Sequence, residues 1–159
     1  MKIRVGWGYD VHRFAVGREL WLGGVKIEHE RGLDGHSDAD ALLHALCDAL
    51  LGAMGKRDLG FFFPNNDPQW KGADSKTLLA RVMEIVRGEG YEVQNADLTV
   101  VAEAPKIGPY VPEIRRVVAD LLQIPQENVA LKATTNEGMG FIGRGEGVAA
   151  MAAVLLAAP

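Results

Sequence analysis

Residues 3–12, IRVGWGYDVH, alternate strictly. Ile3, Val5, Trp7, Tyr9 and Val11 fall on one parity; Arg4, Gly6, Gly8, Asp10 and His12 fall on the other. A period of two is the signature of a β-strand, because successive side chains leave opposite faces of the pleat. The stretch therefore predicts a strand with one apolar face, and with it a sheet. The same register places Asp10 and His12 side by side on the other face. A carboxylate next to an imidazole is not something packing alone asks for.

Further strands and helices interleave along the chain. RELWLGGVKI, 18–27, reads as an extended pair broken at Gly23-Gly24. HSDADALLHALCDALLGAMG, 36–55, predicts a helix with Ser37 as N-cap, Asp40 three residues on in the manner of a capping box, and Gly55 as its stop. Residues 56–74 contain Gly60, Pro64, Pro68 and Gly72 and read as loop. A second helix from about Ser75 to Arg87 gathers Leu78, Leu79, Val82, Met83 and Val86 on one side. YEVQNADLTVVAEA reads as a strand ending near Pro105, Pro112 to Leu122 as a third helix, and NVALKATT as a strand before a glycine-rich loop, 138–147. The tail 148–158 is helix-like in its alanines and strand-like in its length and glycine flank, so residue preference leaves both open. The order predicts an α/β or interleaved α+β fold.

The 159 residues suit one domain, which at this size buries roughly 70% of the surface its unfolded chain exposes. A net charge of −4 and a pI near 5.6 give no basic footprint for nucleic acid, and Lys56-Arg57 and Arg115-Arg116 are too short to supply one. The N-terminus has no apolar core of a signal peptide, and the longest apolar run, VAAMAAVLLAAP, is too short to span a bilayer. Cys47 is the single cysteine, so no intrachain disulfide forms, and a cytoplasmic setting is expected.

On the first helix, Asp40, His44 and Asp48 are spaced by four and form one polar stripe among Leu and Ala. Taken alone, His44 reads as a core histidine bonded to Asp40 or Asp48. Taken with Asp10 and His12, it can complete a carboxylate and two imidazoles, a three-ligand set for zinc with an open fourth position. His36 and Ser37 read either as an ordinary loop and cap, or as anion contacts at a helix start with free N–H groups and a positive dipole end. Gly138-x-Gly140-x-x-Gly143 matches the dinucleotide fingerprint, but no clear helix follows and the acidic partner would fall beyond residue 159. That loop, with Arg144, remains either a phosphate cradle or a turn between strands. Glu137, in TTNEG, reads as an exposed turn acid or as a ligand for a hard cation such as Mg²⁺. Phe61, Phe62 and Phe63 cannot all face one core, so part of the trio lines a pocket or interface. Cys47 reads as packing, and His29 as solvated. No Gly-x-Ser-x-Gly and no P-loop occur, so the implied chemistry is metal-assisted work on phosphates rather than attack by a protein nucleophile.

The stretches GYDVHRF, LGGVKI, HSDADALLHALCDALLGA, RDLGFFFPNNDPQWKGADS, AEAPKIGPYVP and VALKATTNEGMGFIGRGEG, in this order over nearly the whole chain, resemble the 2-C-methyl-D-erythritol 2,4-cyclodiphosphate synthases of the non-mevalonate isoprenoid pathway. The resemblance implies zinc ligands at Asp10, His12 and His44 and a second ion, Mg²⁺ or Mn²⁺, at Glu137. It implies diphosphate and substrate contacts at His36 and Ser37. Asp58, Leu59 and Gly60, with the loop Phe63, Pro64, Asn65, Asn66 and Asp67, would hold the methylerythritol part. The segment 102–108, with Ala102, Pro105, Lys106, Ile107 and Gly108, would form the cytidine pocket with Thr134 and Thr135. Thr135 and His36 would also contact the transition state. Phe141 and Arg144 match the family's loop near the substrate and a central cavity. Asn136 stands within this set, and Asn65 stands where the family often carries an acid.

The implied fold is a single domain, 1–159, with a four- to five-stranded mixed sheet and helices on one face. The implied assembly is a homotrimer about a threefold axis with active sites between subunits and the tail as a strand. The implied reaction takes 4-diphosphocytidyl-2-C-methyl-D-erythritol 2-phosphate to the cyclic diphosphate and CMP, which classes the chain as a lyase of the cytoplasm. Two other readings share its features: a zinc-dependent phosphoesterase, and a nucleotide-binding protein without catalysis.

Overall fold

The computed structural model describes residues 1–159. Its seven strands are β1 (Lys2–Ala15), β2 (Leu20–Leu22), β3 (Val25–Ile27), β4 (Gly32–Leu33), β5 (Glu92–Val101), β6 (Val129–Thr134) and β7 (Gly147–Ala158). Its α-helices are α1 (Ala41–Ala53), α2 (Leu59–Phe62), α3 (Ser75–Gly88), α4 (Val111–Leu122) and α5 (Gly140–Gly143). The main sheet has five strands in the order β4-β1-β7-β5-β6, and β2-β3 form a separate hairpin. Only β5 and β6 run parallel, so the sheet is mixed, as expected.

The alternation of β1 holds throughout, but the side that enters the core is the glycine side. A Cβ on Gly6 would lie 1.8 Å from the carbonyl oxygen of Ala49, and one on Gly8 would lie 1.9 Å from that of Ala45. Helix and strand backbones therefore touch directly, which only glycine on β1 and alanine on α1 allow. The apolar side, Ile3, Val5, Trp7, Tyr9 and Val11, remains 40–71% exposed in the single chain. The tail is β7, paired with β1 and β5. Its even residues from Val148 to Leu156 are buried beneath the helices, while Met151, Ala153, Leu155 and Ala157 lie half-exposed on the open side. Helices thus cover one face of the sheet, and the other carries a broad apolar stripe.

The first helix starts later than expected. Its N-cap is Asp40, not Ser37; Asp40 accepts from Leu43 N at 3.0 Å and from Gly23 N and Gly24 N at 2.9 and 2.7 Å. Gly23 and Gly24 both have positive φ, which a two-residue hairpin turn demands. One buried carboxylate thus caps α1 and ties down the β2-β3 turn. Burial raises its pKa, and the Asp38 charge adds to the effect. Of the N–H groups in the first turn of α1, the carboxylate engages that of Leu43. Residues 56–74, expected as loop, hold the four-residue α2 and a 3-10 turn at Pro68–Trp70. Cys47 is fully buried in the core, as read. His29 is not simply solvated: its ring packs on Phe14 at 5.4 Å, and its Nε2 is buried without a hydrogen-bond partner.

Candidate metal centre

The contact of Gly6 and Gly8 with α1 brings His44, on that helix, against Asp10 and His12 on β1. One donor atom from each of the three residues lies within 4.8 Å of the others. His12 Nδ1–H donates to the Asp34 carbonyl at 2.7 Å, which leaves a lone pair on Nε2. That nitrogen is buried and lies 2.9 Å from Asp10 Oδ2, yet the two are not aligned as a hydrogen bond. His44 Nδ1 stands 3.1 Å from the same Asp10 oxygen. His44 Nε2 faces Ser75 Oγ at 2.9 Å and Ser37 Oγ at 3.2 Å, while the Ser75 hydroxyl donates to Asp38. Ser75 therefore accepts from His44 Nε2–H, and the Nδ1 lone pair turns toward Asp10. Two imidazole lone pairs and a carboxylate converge, which is what a divalent cation requires. The donor set thus fits a divalent metal.

The charges of the triad agree. Burial works to raise the Asp10 pKa, but the close approach and charge of His12 and His44 outweigh it and hold it at about 2. Burial opposes a charged His12, and neighbouring Asp10 outweighs it, so that pKa is raised.

The His44 partners expected from the helix stripe, Asp40 and Asp48, are not its side-chain partners. Asp40 caps the helix, and Asp48 accepts from Leu59 N at 2.7 Å, fixing the start of α2. The triad opens into a cleft of about 280 Å³ lined also by His36, Ser37, Asp48, Asp58, Leu59, Gly60, Phe63, Asn65 and Trp70. His36 Nε2 contacts the Asp67 carbonyl at 3.1 Å, which ties it to the 63–67 loop. Among the phenylalanines, Phe61 is exposed, Phe62 packs on the core, and Phe63 lines the cleft against Trp70.

Sequence reasoning missed Ser75, Asp38 and Asp48 as parts of this site. The spacing of Asp48 four residues after His44 was the one available signal. Ser75 and Asp38 act through His44, and their placement depends on α3 packing beside α1.

The second group of expected residues lies elsewhere. Ala102, Pro105, Lys106, Ile107 and Gly108 follow β5, and Thr134, Thr135, Asn136 and Glu137 end or follow β6. Cross-strand register aligns Val11 with Ala149, Ala149 with Val101, and Val101 with Thr134. Thr134 thus shares the open face with Val11, opposite Asp10 and His12. It stands three strands away, roughly 14 Å at about 4.8 Å per strand. Phe141 lines a separate hollow of about 570 Å³ with Val11, Phe14 and Glu146, and Arg144 pairs with Glu146 at 2.8 Å. Glu137 joins no cluster of metal-ligating side chains within the chain.

Gly138, Gly140 and Gly143, which match a dinucleotide fingerprint, have a packing explanation. Gly138 and Gly140 have positive φ, and a Cβ on Gly143 would lie 2.0 Å from the Gly138 carbonyl carbon.

Fold and site together define a helix-backed mixed-sheet protein with an Asp-His-His divalent-metal triad at a cleft. Residues 3–157 match the YgbB family, and the chain belongs to it. It is 57% identical over 155 residues to the 2-C-methyl-D-erythritol 2,4-cyclodiphosphate synthase of Porphyromonas gingivalis, covering 98% of this chain and 96% of that one. Among solved structures, a CDP-bound 2C-methyl-D-erythritol-2,4-cyclodiphosphate synthase matches with a TM-score of 0.89 and 38% identity, over 97% of this chain and all of that one. The bifunctional IspDF of Campylobacter jejuni matches with a TM-score of 0.95 and 40% identity over 99% of this chain, which spans 43% of that longer protein.

Proposed function

We propose that this protein converts 4-diphosphocytidyl-2-C-methyl-D-erythritol 2-phosphate to 2-C-methyl-D-erythritol 2,4-cyclodiphosphate, releasing CMP. The observation that carries the reading is the Asp10-His12-His44 triad opening onto a cleft in a chain of this family. An oxygen of the 2-phosphate bonds to the β-phosphorus, the bond from that phosphorus to the bridging oxygen breaks, and CMP leaves with the oxygen. A phosphate monoester is largely ionised near neutral pH, so no strong protein base is required. The chain's task is positioning and charge stabilisation. Asp10, His12 and His44 would hold zinc, one ion per subunit, and Glu137 would hold Mg²⁺ or Mn²⁺; bound there, the ions would supply positive charge to the phosphate oxygens.

The chain's residues orient the rest. Asp58, Leu59 and Gly60, fixed through the Asp48 bond, hold the methylerythritol hydroxyls with the Phe63–Asp67 loop. His36, held against that loop, and Ser37 contact the diphosphate. The 102–108 segment takes the cytidine with Thr134, and Thr135 serves the transition state with His36.

The opposite faces and three-strand separation of the two groups support a homotrimer, in which the triad of one subunit meets the nucleotide loops of the next. The exposed apolar stripe on β1 and β7 supports the same assembly, because packing copies around a threefold axis removes it from water. The buried lone thiol is compatible with a cytoplasmic setting, and no helix is long and apolar enough to cross a membrane.

Incubation with the cytidylylated substrate, followed by phosphorus NMR, tests the reading. CMP and a cyclic diphosphate without inorganic phosphate are expected. Inorganic phosphate as the product would point instead to a phosphoesterase, and an unchanged spectrum to binding without catalysis.

A further inference from the structure

Past the ends of β5 and β6, Ala102 N still donates to Thr134 O at 3.0 Å, and then the two chains are joined by a side chain. Glu103 Oε1 accepts from Asn136 N at 3.0 Å and from Gly138 N at 3.1 Å. Between them, Glu137 N donates to Thr135 Oγ1 at 3.2 Å. Three successive backbone N–H groups thus donate to side-chain oxygens.

Glu137 has φ +53 and Gly138 φ +74. Successive N–H groups around left-handed residues form a nest, a concavity that binds anions. Here the anion is the chain's own Glu103 carboxylate. A glutamate in the left-handed region is strained and persists only where its surroundings enforce it. Glu103 grips both flanks of Glu137, while Gly143 packs closely against the Gly138 backbone.

We propose that Glu103 is a positioning residue for Glu137: its carboxylate fills the 136–138 nest, holds Glu137 in its left-handed conformation, and so presents the Glu137 carboxylate to the divalent cation that accompanies the diphosphate. The proposal rests on the reading of Glu137 under the proposed function. It also assigns the loop's role. With the nest filled from within, these amides are closed to a substrate phosphate, and the loop contributes a carboxylate toward a cation.

The test uses zinc-loaded full-length protein, the variants Glu103→Ala, Glu103→Gln, Glu103→Asp and Glu137→Ala, and Mn²⁺ as probe. CMP release is followed against Mn²⁺ concentration, and Mn²⁺ binding in the presence of CDP is read by electron paramagnetic resonance. Glu103→Ala is expected to weaken Mn²⁺ binding about tenfold or more without altering zinc content. Glu103→Gln keeps an oxygen acceptor and stays within about threefold of the parent. Glu103→Asp, one methylene short of reaching both amides, falls between them and remains informative if Glu103→Ala folds poorly. Formate, a free carboxylate for the vacated nest, restores Mn²⁺ binding to Glu103→Ala and leaves the parent unchanged.

A parental Mn²⁺ response in both Glu103→Ala and Glu103→Asp, beside a weakened Glu137→Ala, overturns the Glu103 proposal alone. A parental response in Glu137→Ala strikes the cation role of Glu137, and the proposal falls with it.

Discussion

The triad cleft and the loops proposed to hold the nucleotide lie at the same end of one sheet, yet they are built in different ways. At the cleft, half-buried side chains are fixed from within the packed elements: His44 to the buried Ser75, Ser75 to Asp38, and Asp48 to the backbone at the start of α2. Each wall comes from the same chain. At the loops, exposed backbone amides are gathered by Glu103 and Thr135, and the single chain places no wall opposite them. A metal needs donors fixed to within tenths of an ångström, which packed elements supply. A nucleotide can be gripped by loops, provided another surface closes over it. The first region is closed within one chain; on the proposed reading, the second is completed by a neighbouring subunit.

The sharpest way to break the contrast is to make the same substitution in both regions. Gly8→Ala drives a Cβ into the Ala45 carbonyl and separates β1 from α1. A loss of about 3 kcal/mol or more in urea unfolding is expected, with zinc lost as well. Gly143→Ala, at the end of the four-residue α5, meets an equally close carbon, at the exposed Gly138. Its zinc content and unfolding midpoint should stay near the parent while CDP binding weakens. Similar destabilisation at both positions would erase the distinction.

His12→Ala removes a ligand while leaving the sheet paired. Zinc should fall well below about one per chain, and CMP release should drop by roughly a thousandfold or more, read by metal analysis and turnover. Ser75→Ala leaves all three ligands but removes the acceptor that orients His44. Zinc affinity should weaken about 10- to 100-fold in a chelator competition, with the fold retained.

Acid should act on the cleft through His12. Its metal-free pKa is raised, so the proton that metal must displace is already bound at a pH where an ordinary histidine would be neutral. Below that raised value, zinc affinity should fall about tenfold per pH unit for this one proton. Asp10, held at about 2, stays ionised across the range and adds no dependence. A flat affinity from pH 8 to pH 5 would contradict this assignment.

Much of the cleft was legible because chemistry and period coincide there. The alternation of β1 put Asp10 and His12 on one face, and the helical spacing of α1 offered His44 to them. Which face of β1 enters the core was not legible, because glycines carry no hydrophobic signal, and their role emerges only against the alanines of α1. The N-cap moved from Ser37 to Asp40 because Asp40 also satisfies Gly23 and Gly24, residues distant in sequence. The strand register of β7 was invisible, since small apolar residues occupy both parities. α2 and α5 span only four residues each, too few for a helical period. Glu103 carried no mark at all: its partners are backbone amides whose direction depends on the left-handed turn at Glu137 and Gly138.

The proposed trimer requires the triad of one subunit to work with the 102–108 and 134–137 segments of its neighbour. Mixing His12→Ala with Lys106→Ala, after dissociation and reassembly at equal amounts, tests it most directly. Each variant alone should be nearly inactive. In the mixture, about a quarter of the shared sites would pair an intact triad with intact neighbouring segments, and CMP release should recover toward that fraction of the parent. Activity no greater than the sum of the two separate variants, in trimers shown to have exchanged subunits, would contradict the account.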